Sequence, residues 1–103
     1  MIEADGDVVV FGSSFAGSLT ALIAERIGLR PVLVEKRSHP RFALGESSTP
    51  VADMVLRDLA LRYDLPRLLP LTKYGLWRRE LPHVVCGRKR GFSFFKHLPG
   101  ERF

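Results

Sequence analysis

The chain has 103 residues, 46% hydrophobic and 26% charged, with a formal net charge of +5. That composition excludes wholesale disorder and a fibrous repeat. The length allows one modest core, not a core together with a large cofactor cavity and a separate substrate pocket.

Asp7-Val8-Val9-Val10-Phe11-Gly12 is a short β-branched run closed by glycine, and it predicts a strand buried on both faces. From Phe15 to Ile27 the period changes. Leu19, Ile23 and Ile27 fall on one helical stripe, and Ala16, Thr20 and Ala24 form a neighbouring stripe of small residues. Gly28 reads as the helix stop. Pro31-Val32-Leu33-Val34-Glu35 predicts a second strand, so strand, helix and strand make a βαβ unit. The stretch from Lys36 to Ser48 is irregular, with His39-Pro40 and Gly45 as breakers. A second helix is expected from Thr49, with Pro50 at its first position and Val51, Val55 and Leu59 on one face. Beyond that helix, Pro66 and Pro70 break the chain into short pieces. Phe92-Ser93-Phe94 alternates as a short β segment would. The fold class expected is α/β, the start of a doubly wound, Rossmann-like sheet that is incomplete over residues 1–103.

Two stretches carry chemistry. Gly12-Ser13-Ser14-Phe15-Ala16-Gly17 joins the first strand to its helix, where a dinucleotide fingerprint belongs. There the first glycine makes the turn, the middle one admits a pyrophosphate, and the third lets helix and strand pack closely. Ser14 stands at the middle position, and its hydroxyl could donate to a phosphate oxygen placed at the helix N-terminus. Glu35 ends the second strand, where an acid accepts hydrogen bonds from ribose hydroxyls. The second stretch, Arg41-Phe42-Ala43-Leu44-Gly45-Glu46-Ser47-Ser48-Thr49-Pro50, delivers a carboxylate and hydroxyls to the next helix N-terminus. A bare βα turn, a solvated acid and simple helix capping are the respective alternatives without a ligand.

Together the fingerprint, the acid and Gly-Glu-Ser-Ser-Thr-Pro resemble the N-terminus of flavin-dependent halogenases of the tryptophan halogenase type and related FAD-dependent oxidoreductases, from about Asp7 to His97. The resemblance implies a doubly wound FAD domain. It implies FAD contacts from Gly12, Ser13, Ser14, Phe15, Ala16, Gly17, Glu35, Lys36, Arg41, Gly45, Glu46 and Ser47. In such enzymes reduced flavin and oxygen form a hydroperoxide, halide attack gives hypohalous acid, and the oxidant passes to a lysine beside the substrate. Lys89, in Lys89-Arg90-Gly91-Phe92-Ser93-Phe94, looks like that lysine; a solvated basic turn is its plain alternative. A flavin reductase, a halide and an organic substrate are the partners implied for the full enzyme. The family's downstream Gly-Asp and Trp-x-Trp-x-Ile-Pro motifs are not in these residues, so the expectation is an N-terminal fragment without turnover of its own. A non-halogenating FAD monooxygenase or reductase, or a non-catalytic remnant serving as a binding module, are the competing functions.

The charge is uneven: residues 1–66 carry seven basic and nine acidic groups, and residues 67–103 carry nine and two. The basic clusters lack a helix-turn-helix, zinc or RNA-binding signature, so nucleic acid is not an expected partner. His39, His83 and His97 have no metal-ligand spacing with one another or with Cys86. A single cysteine excludes an internal disulfide and fits a reducing cytoplasm. The acidic N-terminus is unlike a secretory leader, and no apolar run reaches the ~18 residues of a membrane span.

Overall fold

The computed structural model describes residues 5–41, 47–91 and 93–101. Strands β1 (Val8–Phe11) and β2 (Pro31–Val34) lie parallel, with Val8 opposite Pro31 and Phe11 opposite Val34. Parallel neighbours need a crossover, and helix α1 (Phe15–Arg26) supplies it. Pro31 has no N–H to give the ladder and sits at the first strand position, where its loss costs least. Two further bonds lengthen the pairing: Asp7 N–H donates to the Arg30 carbonyl at 2.9 Å and Gly12 N–H to that of Val34 at 2.7 Å. Asp7 also forks onto the Arg30 guanidinium, with contacts of 3.0 and 3.1 Å, and this pairing lowers the Asp7 carboxyl below its ordinary range.

α1 ends as its sequence predicts. Gly28 adopts φ +88°, its N–H donates to the Glu25 carbonyl, and Leu29 N–H reaches back to that of Ala24. That is the double closure of a Schellman turn, with glycine in the left-handed region. Of the two stripes, the small one supplies the most buried residue, Ala24, while Ile27 remains 58% exposed.

Helix α2 (Pro50–Arg62) starts at Thr49, whose hydroxyl accepts from Ala52 N–H at 3.3 Å. It ends in the same double closure, here with Asp64 at φ +51° in the glycine position and Leu65 N–H donating to the Ala60 carbonyl at 2.7 Å. A 3-10 helix (Pro66–Thr72) and helix α3 (Tyr74–Glu80) come next. The two prolines account for the tighter winding, because Pro70 removes a donor inside the segment. α2 packs on the 3-10 helix, which packs on α3. The face turned inward is Leu56 and Ala60, not the expected stripe: Val51 and Val55 stay 70% and 54% exposed. Residues 93–98 form no strand, so the β segment expected there is not formed by its described residues; Phe92 lies outside them.

The two halves meet where Arg26 on α1 donates to the Tyr63 carbonyl at 3.1 Å and pairs with Asp64. The accessible surface is 9188 Å², against about 5,800 Å² for a compact chain of this mass. Among the described residues no helix is long and apolar enough to cross a membrane.

Candidate functional site

The site starts at the turn between β1 and α1. Gly12 has φ +97°, a conformation that costs a side chain strain. A Cβ on Gly17 would stand 1.8 Å from the Gly12 carbonyl oxygen, so glycine alone lets α1 come this close to the strand end. These are the first and third roles expected of the fingerprint. Ser14 is the N-cap, and its side chain makes no capping hydrogen bond. Its hydroxyl therefore stands at the helix N-terminus, where the first-turn N–H groups lack helical acceptors.

Glu35 faces this turn from the end of β2. Its Oε2 accepts from Ser13 N–H at 2.9 Å, from Ser13 Oγ at 3.1 Å and from Arg41 Nη2 at 3.2 Å; its Oε1 accepts from Arg37 N–H at 2.9 Å. The backbone N–H groups of Ser13 and Arg37, with help from the Ser13 hydroxyl and the Arg41 charge, hold the carboxyl well down, at about 2. Glu35 is thus an ionised acceptor whose Oε2 is occupied and whose Oε1 retains accepting capacity.

Beside Glu35 opens a cleft of about 440 Å³, lined by Phe11, Gly12, Val34, Glu35, Lys36, Arg37 and Arg41. Phe11 (82% exposed) and Val34 give it an apolar wall, and the basic residues give it positive charge. The Arg41 side chain is 18% exposed, and its Nε is buried without an acceptor among the described residues. A buried donor left unmatched is costly, and the positive charge of Lys36, Arg37 and Arg41 on the cleft suits an anionic group.

Lys89 Nζ donates to Ser47 Oγ at 3.0 Å, across 42 residues of sequence. This brings together two residues picked from separate motifs, at the start of α2. Both line a second cleft of about 610 Å³ with Trp77, Tyr74, Lys73 and Arg88 among its walls. Trp77 is oriented by Nε1 donation to the Val84 carbonyl at 3.0 Å. Phe15 and Ala16 lie in the first turn of α1, exposed. Gly45 and Glu46 lie outside the described residues.

Three features of the corner were not expected from the sequence: the inward role of Ser13, the Arg37 backbone contact and the involvement of His39, whose Nε2 lies 2.6 Å from Ser13 Oγ. The one signal that could have found them was the breaker His39-Pro40, which returns the chain toward the strand end. Among the described residues no group of His, Cys, Asp and Glu could hold a metal.

No known family profile matches the chain. Individual relatives do. The monodechloroaminopyrrolnitrin halogenase PrnC of Pseudomonas fluorescens is 36% identical over 92% of this chain and 17% of the relative. The tetracycline 7-halogenase of Kitasatospora aureofaciens is 35% identical with the same coverage. Among solved structures, the halogenase PltM in complex with phloroglucinol and FAD superimposes with a TM-score of 0.68 at 34% identity, covering 72% of this chain and 15% of PltM. The chain therefore spans about a sixth of the length of these curated relatives. By sequence and by fold it is a homologue of the flavin-dependent halogenases, matching their N-terminal, FAD-binding region.

Proposed function

We propose that residues 1–103 form the first part of an FAD-binding domain, in a flavoenzyme that halogenates an organic substrate. The observation that carries the FAD reading is the ionised Glu35, tied to the glycine turn through Ser13 and opening on a cleft lined by Lys36, Arg37 and Arg41. In this assignment Oε1 of Glu35 accepts from a ribose hydroxyl. Ser14 and the first-turn N–H groups of α1 take up pyrophosphate oxygens, and Lys36 and Arg41 neutralise them. Phe15 and Ala16 extend that turn, and Gly45, Glu46 and Ser47 are assigned to the cofactor from the sequence motif they share.

FAD, when bound, supplies the oxidising chemistry; the protein's part is placement. Lys89, held by Ser47 at the second cleft, is assigned to hold the oxidised halogen beside the substrate. A flavin reductase, dioxygen as oxidant, a halide and an organic substrate complete the system, and a cytoplasmic setting suits a reduced flavin. The 103 residues alone are expected to bind FAD weakly and to turn nothing over.

Flavin fluorescence titration tests the first assignment. The chain should bind FAD, and Glu35→Ala should weaken binding about tenfold; no binding by the unmutated chain would overturn it. In an enzyme carrying this segment, Lys89→Ala should abolish halogenated product while oxidation of the reduced flavin by oxygen continues. Unchanged product formation would remove Lys89 from the chemistry.

A further inference from the structure

The hydroxyl of Ser13 has two partners and one proton. It lies 3.1 Å from Glu35 Oε2 and 2.6 Å from His39 Nε2. An ionised carboxylate accepts and cannot donate, and Glu35 is kept ionised by the N–H groups of Ser13 and Arg37. With its proton toward Glu35, the Ser13 hydroxyl satisfies that acceptor. The proton between Ser13 and His39 then belongs to His39.

We propose that His39 is a positioning residue of the nucleotide corner: its Nε2–H donates to Ser13 Oγ, keeps that hydroxyl turned onto Glu35, and ties the loop after β2 to the glycine turn. The identity of the ligand rests on the FAD reading above; the hydrogen bond does not.

The geometry has three consequences. Both the neutral Nε2–H tautomer and the imidazolium carry the required proton, so the link survives either charge state of the ring. Ser13 has no proton left for a ligand, which leaves Ser14 as the hydroxyl donor of the turn. The loop that carries His39 also brings Arg37 and Arg41 to Glu35, so holding it to Ser13 preorganises the cleft and reduces what binding must order.

The test uses a ¹⁵N-labelled full-length flavoenzyme that carries this segment. Without any substitution, the His39 ring ¹⁵N shifts should show the proton on Nε2. A proton on Nδ1 with a bare Nε2 would overturn the assignment. Glutamine can place an amide N–H where Nε2 stands, and phenylalanine cannot. His39→Phe should therefore raise Ser13 amide exchange and weaken FAD binding, each about threefold to tenfold, while His39→Gln stays within about threefold of the unmutated chain. If Phe and Gln behave alike, the positioning role is wrong. If the unmutated chain binds no FAD, the functional reading fails, while the ring proton and Ser13 exchange still decide the role of His39. If His39→Phe does not fold, the tautomer, read on the unmutated chain, still decides it.

Discussion

Gly17 and Glu35 can be judged at the scale of single atoms. A methyl on Gly17 would sit 1.8 Å from a backbone oxygen, and backbone cannot rotate aside as a long side chain can. Gly17→Ala should therefore push α1 off the strand and lower stability by about 1–3 kcal/mol, read by thermal unfolding. Glu35 differs in kind, because its effect depends on pH. Its carboxyl falls from an ordinary 4.5 to about 2 in the folded chain. The stabilisation is thus complete above about 4.5 and is lost as pH drops toward 2, where the folded carboxylate also takes up its proton. Asp7, lowered by Arg30, adds in the same direction. Glu35→Gln should be less stable at neutral pH and show a shallower loss between pH 4.5 and 2 in denaturant titrations. An unchanged slope would mean that Glu35 keeps the same proton affinity unfolded. Gly12, Gly17 and Glu35 were legible in the sequence because spacing alone fixes their places relative to a βα turn. The roles of Ser13 and His39 were not, since their contact spans 26 residues and depends on how an irregular loop returns.

At the scale of elements, local signals made most of the fold legible. The change from a β-branched run to a helical period, and the glycine after it, marked β1, α1 and the turn at Gly28. Which face α2 buries was not local. Val51, Val55 and Leu59 make an apolar stripe, yet Leu56 and Ala60 are the residues buried where α2 packs on the 3-10 helix as an element. The winding of Pro66–Thr72 decides that, and no helical period announces it. The alternation at Phe92–Phe94 likewise describes a strand only if a neighbouring strand accepts it, and the described residues 93–98 adopt no strand. The end of α2 offers a clean test. Asp64 occupies the left-handed position that glycine holds after α1. Comparing Asp64→Ala with Asp64→Gly removes the pairing to Arg26 in both and isolates the backbone. The alanine variant should be less stable than the glycine variant by about 1 kcal/mol in thermal unfolding. Equal stabilities would mean that the turn relaxes out of the left-handed region.

For the molecule as a whole, exposure is the dominant fact. The radius of gyration is 17.9 Å, against about 13 Å for a compact chain of this length. Val9, Phe11, Leu33 and Val34 leave sheet residues open, and Val51, Met54, Val55 and Leu61 do the same on α2. Among the described residues the buried apolar core is Ala24, Leu56 and Ala60, and no large side chain there is fully buried. At roughly 25 cal/mol per Å² of apolar surface, so small a core sets little against the conformational entropy of ordering the chain. Two parallel strands also leave unpaired edges, which invite another strand. In dilute solution, then, the 103 residues by themselves should bind a hydrophobic dye such as ANS strongly, and they should self-associate as concentration rises. FAD should oppose this only partly, because the nucleotide corner holds Phe11 and Val34 while the open face of α2 lies in the other half. Light scattering across a concentration series, with and without FAD, measures it. A monodisperse monomer that leaves ANS dark would mean that the apolar residues of α2 and the sheet find each other in solution, and that this segment can close a core without further strands.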